Sequence, residues 1–123
     1  MVELEVDVRT RGVVDIVDVS GTANPHRCDA TILQRVTRLL ESGSSLFVLN
    51  LTCATALDSA LLGEVVACRE RVRKRGGVTT LVLTPEQADL LIAGGLDSLF
   101  EIFLDEDVAL DSFAARNATA GIP

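Results

Sequence analysis

Leu46-Phe47-Val48-Leu49-Asn50-Leu51 is almost wholly apolar, with no alternation between polar and apolar residues. Successive side chains of a strand point to opposite faces, so a strand with one wet face alternates, whereas this run needs both faces covered. The usual way to cover both faces is a parallel sheet with crossover helices, and that requirement constrains the whole chain. The run passes into Ala54-Thr55-Ala56-Leu57-Asp58-Ser59-Ala60-Leu61-Leu62-Gly63, where small and acidic residues precede a helical pattern. Asp58 and Ser59 are both suited to the helix start, because a short side-chain oxygen can accept from the unsatisfied N–H groups of the first turn. The spacing predicts a strand–loop–helix joint with a hydroxyl at its tip.

The flanking sequence supplies the other layers. Val2, Leu4, Val6 and Val8 alternate with Glu3, Glu5, Asp7 and Arg9, the period of a half-wet edge strand. A turn at Arg11-Gly12 and a second strand over residues 13–19 make an antiparallel hairpin. Ser20 to Pro25 are turn formers. From about Cys28 to Glu41, Ile32/Leu33, Val36 and Leu39/Leu40 recur at helical spacing, and Ser42-Gly43 close the helix. The helix after the joint runs to about Arg75, with Leu61, Val65, Cys68 and Val72 along one stripe. Its last turns hold Arg69, Arg71, Arg73, Lys74 and Arg75, which favour the negative helix end, and Gly76-Gly77 stop it. Residues 78–83 read as another buried strand. Thr84-Pro85-Glu86-Gln87 is a capping box with proline at the first helical position, predicting a short helix to about Ala93. After Gly94-Gly95, Glu101-Ile102-Phe103 is a last short strand, and Asp105-Glu106-Asp107 start a final helix containing Val108, Leu110 and Phe113. Residues 115–123 read as a loose tail. The expected architecture is α/β: a single mixed sheet of about five strands, opened by an antiparallel hairpin and packed with about four helices. All of residues 1–123 belong to one domain, with its core over about 13–113.

Composition narrows the chemistry. A net charge of −7 opposes binding to nucleic-acid phosphates, and a chain without Trp or Tyr has little with which to stack bases. The acidic N-terminal residues do not resemble a signal peptide, and no apolar run is long enough to span a membrane. Cys28, Cys53 and Cys68 are odd in number, lack Cys-x-x-Cys spacing and lie among aliphatic residues. They are therefore expected to be buried free thiols in a reducing cytoplasm. No phosphate-binding glycine loop follows a predicted strand, and no nucleotide, metal or other cofactor is expected.

Leu57-Asp58-Ser59 with Leu62-Gly63, then Gly76-Gly77 before an apolar strand, resembles the Asp-Ser-Ser-Gly-Leu-Gly segment of STAS domains, the bacterial anti-sigma-factor antagonist family. Gly95-Leu96-Asp97-Ser98-Leu99-Phe100 is similar to that family's Gly-Leu-Asp-x-Leu-Phe turn. The resemblance runs from about Val13 to about Phe113 and implies the same fold. It also implies a cytoplasmic, non-enzymatic regulator of transcription that binds an anti-sigma factor with serine-kinase activity, ATP belonging to that partner. The implied contact patch is Asn24, Asp58, Ser59, Ala60 and Leu61, with Ser59 the candidate phosphoacceptor. The family carries its phosphorylated hydroxyl one position later, which here is Ala60, and the following family glycine is Leu61. Two alternatives stay open: Ser59 has taken over the switch, or the chain binds without one. The second fits an accessory STAS module in a sensory scaffold or a lipid-transport ATPase. A homodimer is among the oligomeric states open to such a domain.

Other readings compete. Ser59 can serve only to cap its helix, and Asn24-Pro25 can serve only as a turn. His26, Cys28 and Asp29 are close in sequence, but a metal site needs more ligands, and a thiol–imidazole pair needs a third orienting group. With a single histidine in the chain, His26 is expected to be structural, and the basic run from Arg69 to Arg75 to be a solvated helix end.

Overall fold

The computed structural model describes residues 4–22 and 31–120, of which 115–120 are described as backbone only. A five-stranded sheet has the spatial order β1-β2-β3-β4-β5, formed by β1 (Glu5–Arg11), β2 (Val14–Gly21), β3 (Leu46–Ala54), β4 (Val78–Val82) and β5 (Glu101–Phe103). The β1–β2 pair is antiparallel and the remaining pairs are parallel. Arg11 pairs with Val14 across a two-residue turn, where Gly12 takes φ 64°, a conformation that suits glycine. The pairing carries β1 through Thr10 and Arg11, past the apolar alternation that marks it in the sequence.

Helices cover both faces. Helices α1 (Thr31–Glu41), α2 (Ser59–Lys74) and α3 (Pro85–Ala93) cover one side, and α4 (Glu106–Ala120) covers the other. The larger core joins Ile32, Val36 and Leu40 of α1 and Leu61, Val65, Cys68 and Val72 of α2 to Val17, Phe47, Leu49 and Leu81 of the sheet. The smaller one sets Ala109 and Phe113 of α4 against Val14, Ile16, Val48 and Val82. Phe47, Val48, Leu49 and Leu51 are all fully buried, as the continuous apolar run requires. Thr84 caps α3 in the predicted capping box with Gln87, whose amide also donates to the Leu51 carbonyl at 2.8 Å. Gly76 ends α2 at φ 78°. At Gly77 an added methyl would overlap the Ser45 carbonyl and come within 2.8 Å of Val72 Cγ1, so no side chain fits there.

Three details differ from the sequence expectations. Helix α4 stays helical past Ala115 to Ala120, and Leu96–Ser98 form a single 3-10 turn before β5. Cys53 is exposed rather than buried. It lies where β3 has outrun β4, whose pairing stops at Asn50 and Val82, and just beyond a register shift against β2. The expected start of α1 near Cys28 lies outside the described residues.

Candidate docking site

The carboxyl ends of the parallel strands carry the joint. As β3 ends, the Thr55 N–H donates to the Gly21 carbonyl at 2.7 Å, tying the joint to the end of β2. Asp58 adopts an extended conformation (φ −85°, ψ 176°), and its Oδ1 accepts from the Leu61 N–H at 3.0 Å. Its carbonyl accepts from the Leu62 N–H at 2.9 Å, so Asp58 alone is the N-cap of α2. Ser59 is consequently the first helical residue, not a cap. It is exposed, and its hydroxyl makes no hydrogen bond among the described residues.

The predicted patch separates into two layers. Ser59 faces solvent and Asp58 is half-buried. Ala60 is also half-buried and packs on the core, while Leu61 is 0% exposed. Leu61 supports the surface from beneath, as its place on the buried Leu61–Val65–Cys68–Val72 stripe requires, rather than facing solvent with Ser59. Thr55, Ala56 and Gly63 join Ser59 in solvent, with Cys53 just before them. The helical period could have found Gly63, which lies four residues after Ser59 on the same face. Asn24, His26, Cys28 and Asp29 lie outside the described residues.

One turn below the joint, the carboxylate of Glu64 accepts from the backbone N–H of Ile32 and from that of Leu33, the latter at 3.1 Å. Sequence reasoning missed this contact, which spans 32 residues. Deeper in α2, burial and then the negative charge of Glu64 push the Cys68 thiol up to about 12, which leaves it protonated and unreactive at neutral pH.

A chain of polar side chains runs from the end of β3 across the α4 face. Thr52 Oγ1 donates to Asn50 Oδ1 at 2.7 Å, and Asn50 Nδ2 donates to Asp18 Oδ1 at 2.9 Å. Arg9 donates to both oxygens of Asp18 and to Glu106, and Arg11 bridges Glu106 and Asp107. The hydrogen bond from Arg9 is the main cause holding Asp18 and Glu106 below the ordinary carboxylate range, against the opposing effect of burial.

The basic run lies at the far end of α2, 16 residues long and hence about 24 Å in length. Arg69 lies over the Phe100 ring at 5.9 Å, and both Arg69 and Arg73 pair with Glu70 at 2.8 Å. These two arginines, with Thr79, Leu99 and Glu101, line a notch of about 170 Å³. Among the described residues, no group of three or more His, Cys, Asp or Glu side chains is placed to hold a metal ion, and no helix is long and apolar enough to cross a membrane.

A sequence profile of the STAS domain matches residues 5–109. Among solved structures, an anti-sigma factor antagonist from Mycobacterium paratuberculosis is 23% identical with a TM-score of 0.75, over 89% of this chain and 92% of its own. The Bacillus cell fate determinant SpoIIAA in its phosphorylated form is 18% identical with a TM-score of 0.63, over 89% and 98% of the two chains. The anti-sigma factor antagonist SpoIIAA in its unphosphorylated form is 15% identical with a TM-score of 0.59, over 97% and 99%. At these identities the likeness is one of fold. No protein with a curated description matches the chain.

Proposed function

The chain belongs to the STAS domain family, and from that premise we propose that it is a non-enzymatic binding domain that docks, through the surface around Ser59, on an anti-sigma factor with serine-kinase activity. The observation that carries the reading is the division of labour at the α2 start. Asp58 satisfies the helix, which leaves the Ser59 hydroxyl exposed and uncommitted. A serine acting as a nucleophile in its own right needs a base in hydrogen-bond contact. A serine modified by another protein needs access, and Ser59 has it.

Phosphorylation would add close to two negative charges at the first position of α2. Free N–H groups at a helix start accommodate such charge, so the domain would stay folded. A partner seated on the patch would meet that charge beside the Asp58 carboxylate and dissociate. Release of the domain would return the anti-sigma factor to its sigma factor. The similarity to a solved antagonist in both phosphorylated and unphosphorylated forms supports this scheme, which would operate in the cytoplasm, where ATP is available to the partner.

The test is intact mass after incubation with the cognate serine kinase and ATP. One added phosphate is expected on the wild type and none on Ser59→Ala, whose fold and stability should be unchanged because the hydroxyl has no partner among the described residues. A wild type that takes no phosphate sinks the switch. Ala60, a methyl where the family carries its acceptor hydroxyl, favours a second reading: a constitutive accessory module of a sensory scaffold or lipid-transport ATPase. Recovery of such subunits in place of a kinase, using the immobilised full chain, would support it.

A further inference from the structure

We propose that Glu64 is a positioning residue for the docking surface, clamping the start of α1 to the second turn of α2. A helix start leaves its first N–H groups unsatisfied, and the residue before the helix usually supplies the accepting oxygen. The first turn of α1 carries no acidic residue of its own. Glu64 provides an acceptor from another helix, taking the Ile32 and Leu33 N–H groups on one carboxylate oxygen. Its charge also complements the positive end of the α1 dipole.

The joint that carries Ser59 is tied both to β2 and to α1. At the β2 end, Gly21 accepts from the Thr55 N–H; at the α1 end, Ile32 and Leu33 donate to Glu64. Thr55 and Glu64 bracket Ser59 in the chain, so the stretch that carries Ser59 is held to β2 at one end and to α1 at the other. The inference rests on the proposed docking at Ser59 for its functional meaning, but the clamp itself is a property of the free chain.

The experiment uses the full ¹⁵N-labelled chain as wild type, Glu64→Gln, Glu64→Ala and Glu64→Leu. Amide hydrogen exchange is followed residue by residue, and the initial rate of Ser59 phosphorylation by the cognate kinase is measured in parallel. Glu64→Ala and Glu64→Leu should raise exchange at Ile32 and Leu33 about fivefold, the change expected for loss of one helix cap. Exchange in β3 and β4 should be unaffected, and phosphorylation should slow. Glu64→Gln keeps an accepting oxygen and should recover most of both. Unchanged exchange at Ile32 and Leu33, or an equal rise throughout the sheet, overturns the clamp. A restored exchange pattern with an unchanged phosphorylation rate overturns the positioning role. If the wild type takes no phosphate while the exchange pattern holds, the clamp stands and the kinase-docking reading falls.

Discussion

Asp58 and Ser59 are neighbours with nearly equal aptitude for capping, yet one helix start has room for one N-cap. The extended backbone at Asp58 aims its carboxylate at the Leu61 N–H, which puts Ser59 inside the helix and its hydroxyl in water. Capping and the proposed modification therefore fall on different residues. Asp58→Ala should lower stability by about 1 kcal/mol, measured by urea unfolding, while Asp58→Asn, which retains an accepting oxygen, should recover most of it. The same residue-by-residue view explains Leu61. Its place on the apolar stripe directs it inward, where it is fully buried in the larger core. Helical period alone was sufficient to read this from the sequence, whereas the choice between Asp58 and Ser59 as cap was not, since both satisfy the same local pattern.

At the scale of elements, α4 is held differently from α1 and α2. It is the single helix on its face among the described residues, with Ala109 and Phe113 as its buried apolar contacts. Its first turn is tied to β1 and β2 through Arg9, Arg11, Asp18, Glu106 and Asp107. Because Asp18 and Glu106 are held below the ordinary carboxylate range when folded, they favour the folded state fully above about pH 4 to 5. That contribution is lost as pH falls through the ordinary range toward their folded values. The thermal midpoint of the wild type should therefore drop more between about pH 5 and about pH 3 than that of Arg9→Met, in which the main cause of both shifts is gone. Salt at about 1 M should narrow the difference, since Arg9 is 47% exposed and its pairs are open to screening. Thermal unfolding across pH at two salt concentrations checks both expectations.

Across the whole molecule, the two described thiols report on different events. Cys68 is fully buried with its thiol pushed up to about 12, whereas Cys53 is exposed at the end of β3 beside the proposed docking surface. In a Cys28→Ala background, a thiol reagent should modify Cys53 at once. Cys68 should react only when the domain opens, with the same denaturant midpoint as the loss of helical circular dichroism. Labelling of Cys68 well before that midpoint would show that α2 leaves the sheet independently.

The sequence by itself determined the kinds of element and their order: the apolar run of β3, the capping box of α3, the glycine stop after α2 and the Asp58-Ser59 joint. Each depends on hydrogen bonds or side-chain period within a few residues of chain, so each is written locally. Tertiary structure decided which residues around Ser59 meet solvent, why Cys53 is left outside the core, that Glu64 caps a helix 32 residues away, and that Arg9 meets Glu106 across 97 residues. Those outcomes depend on where the layers of the fold come to rest against one another. No local pattern contains that information, because the donor and the acceptor become neighbours only after the sheet and its helices have packed.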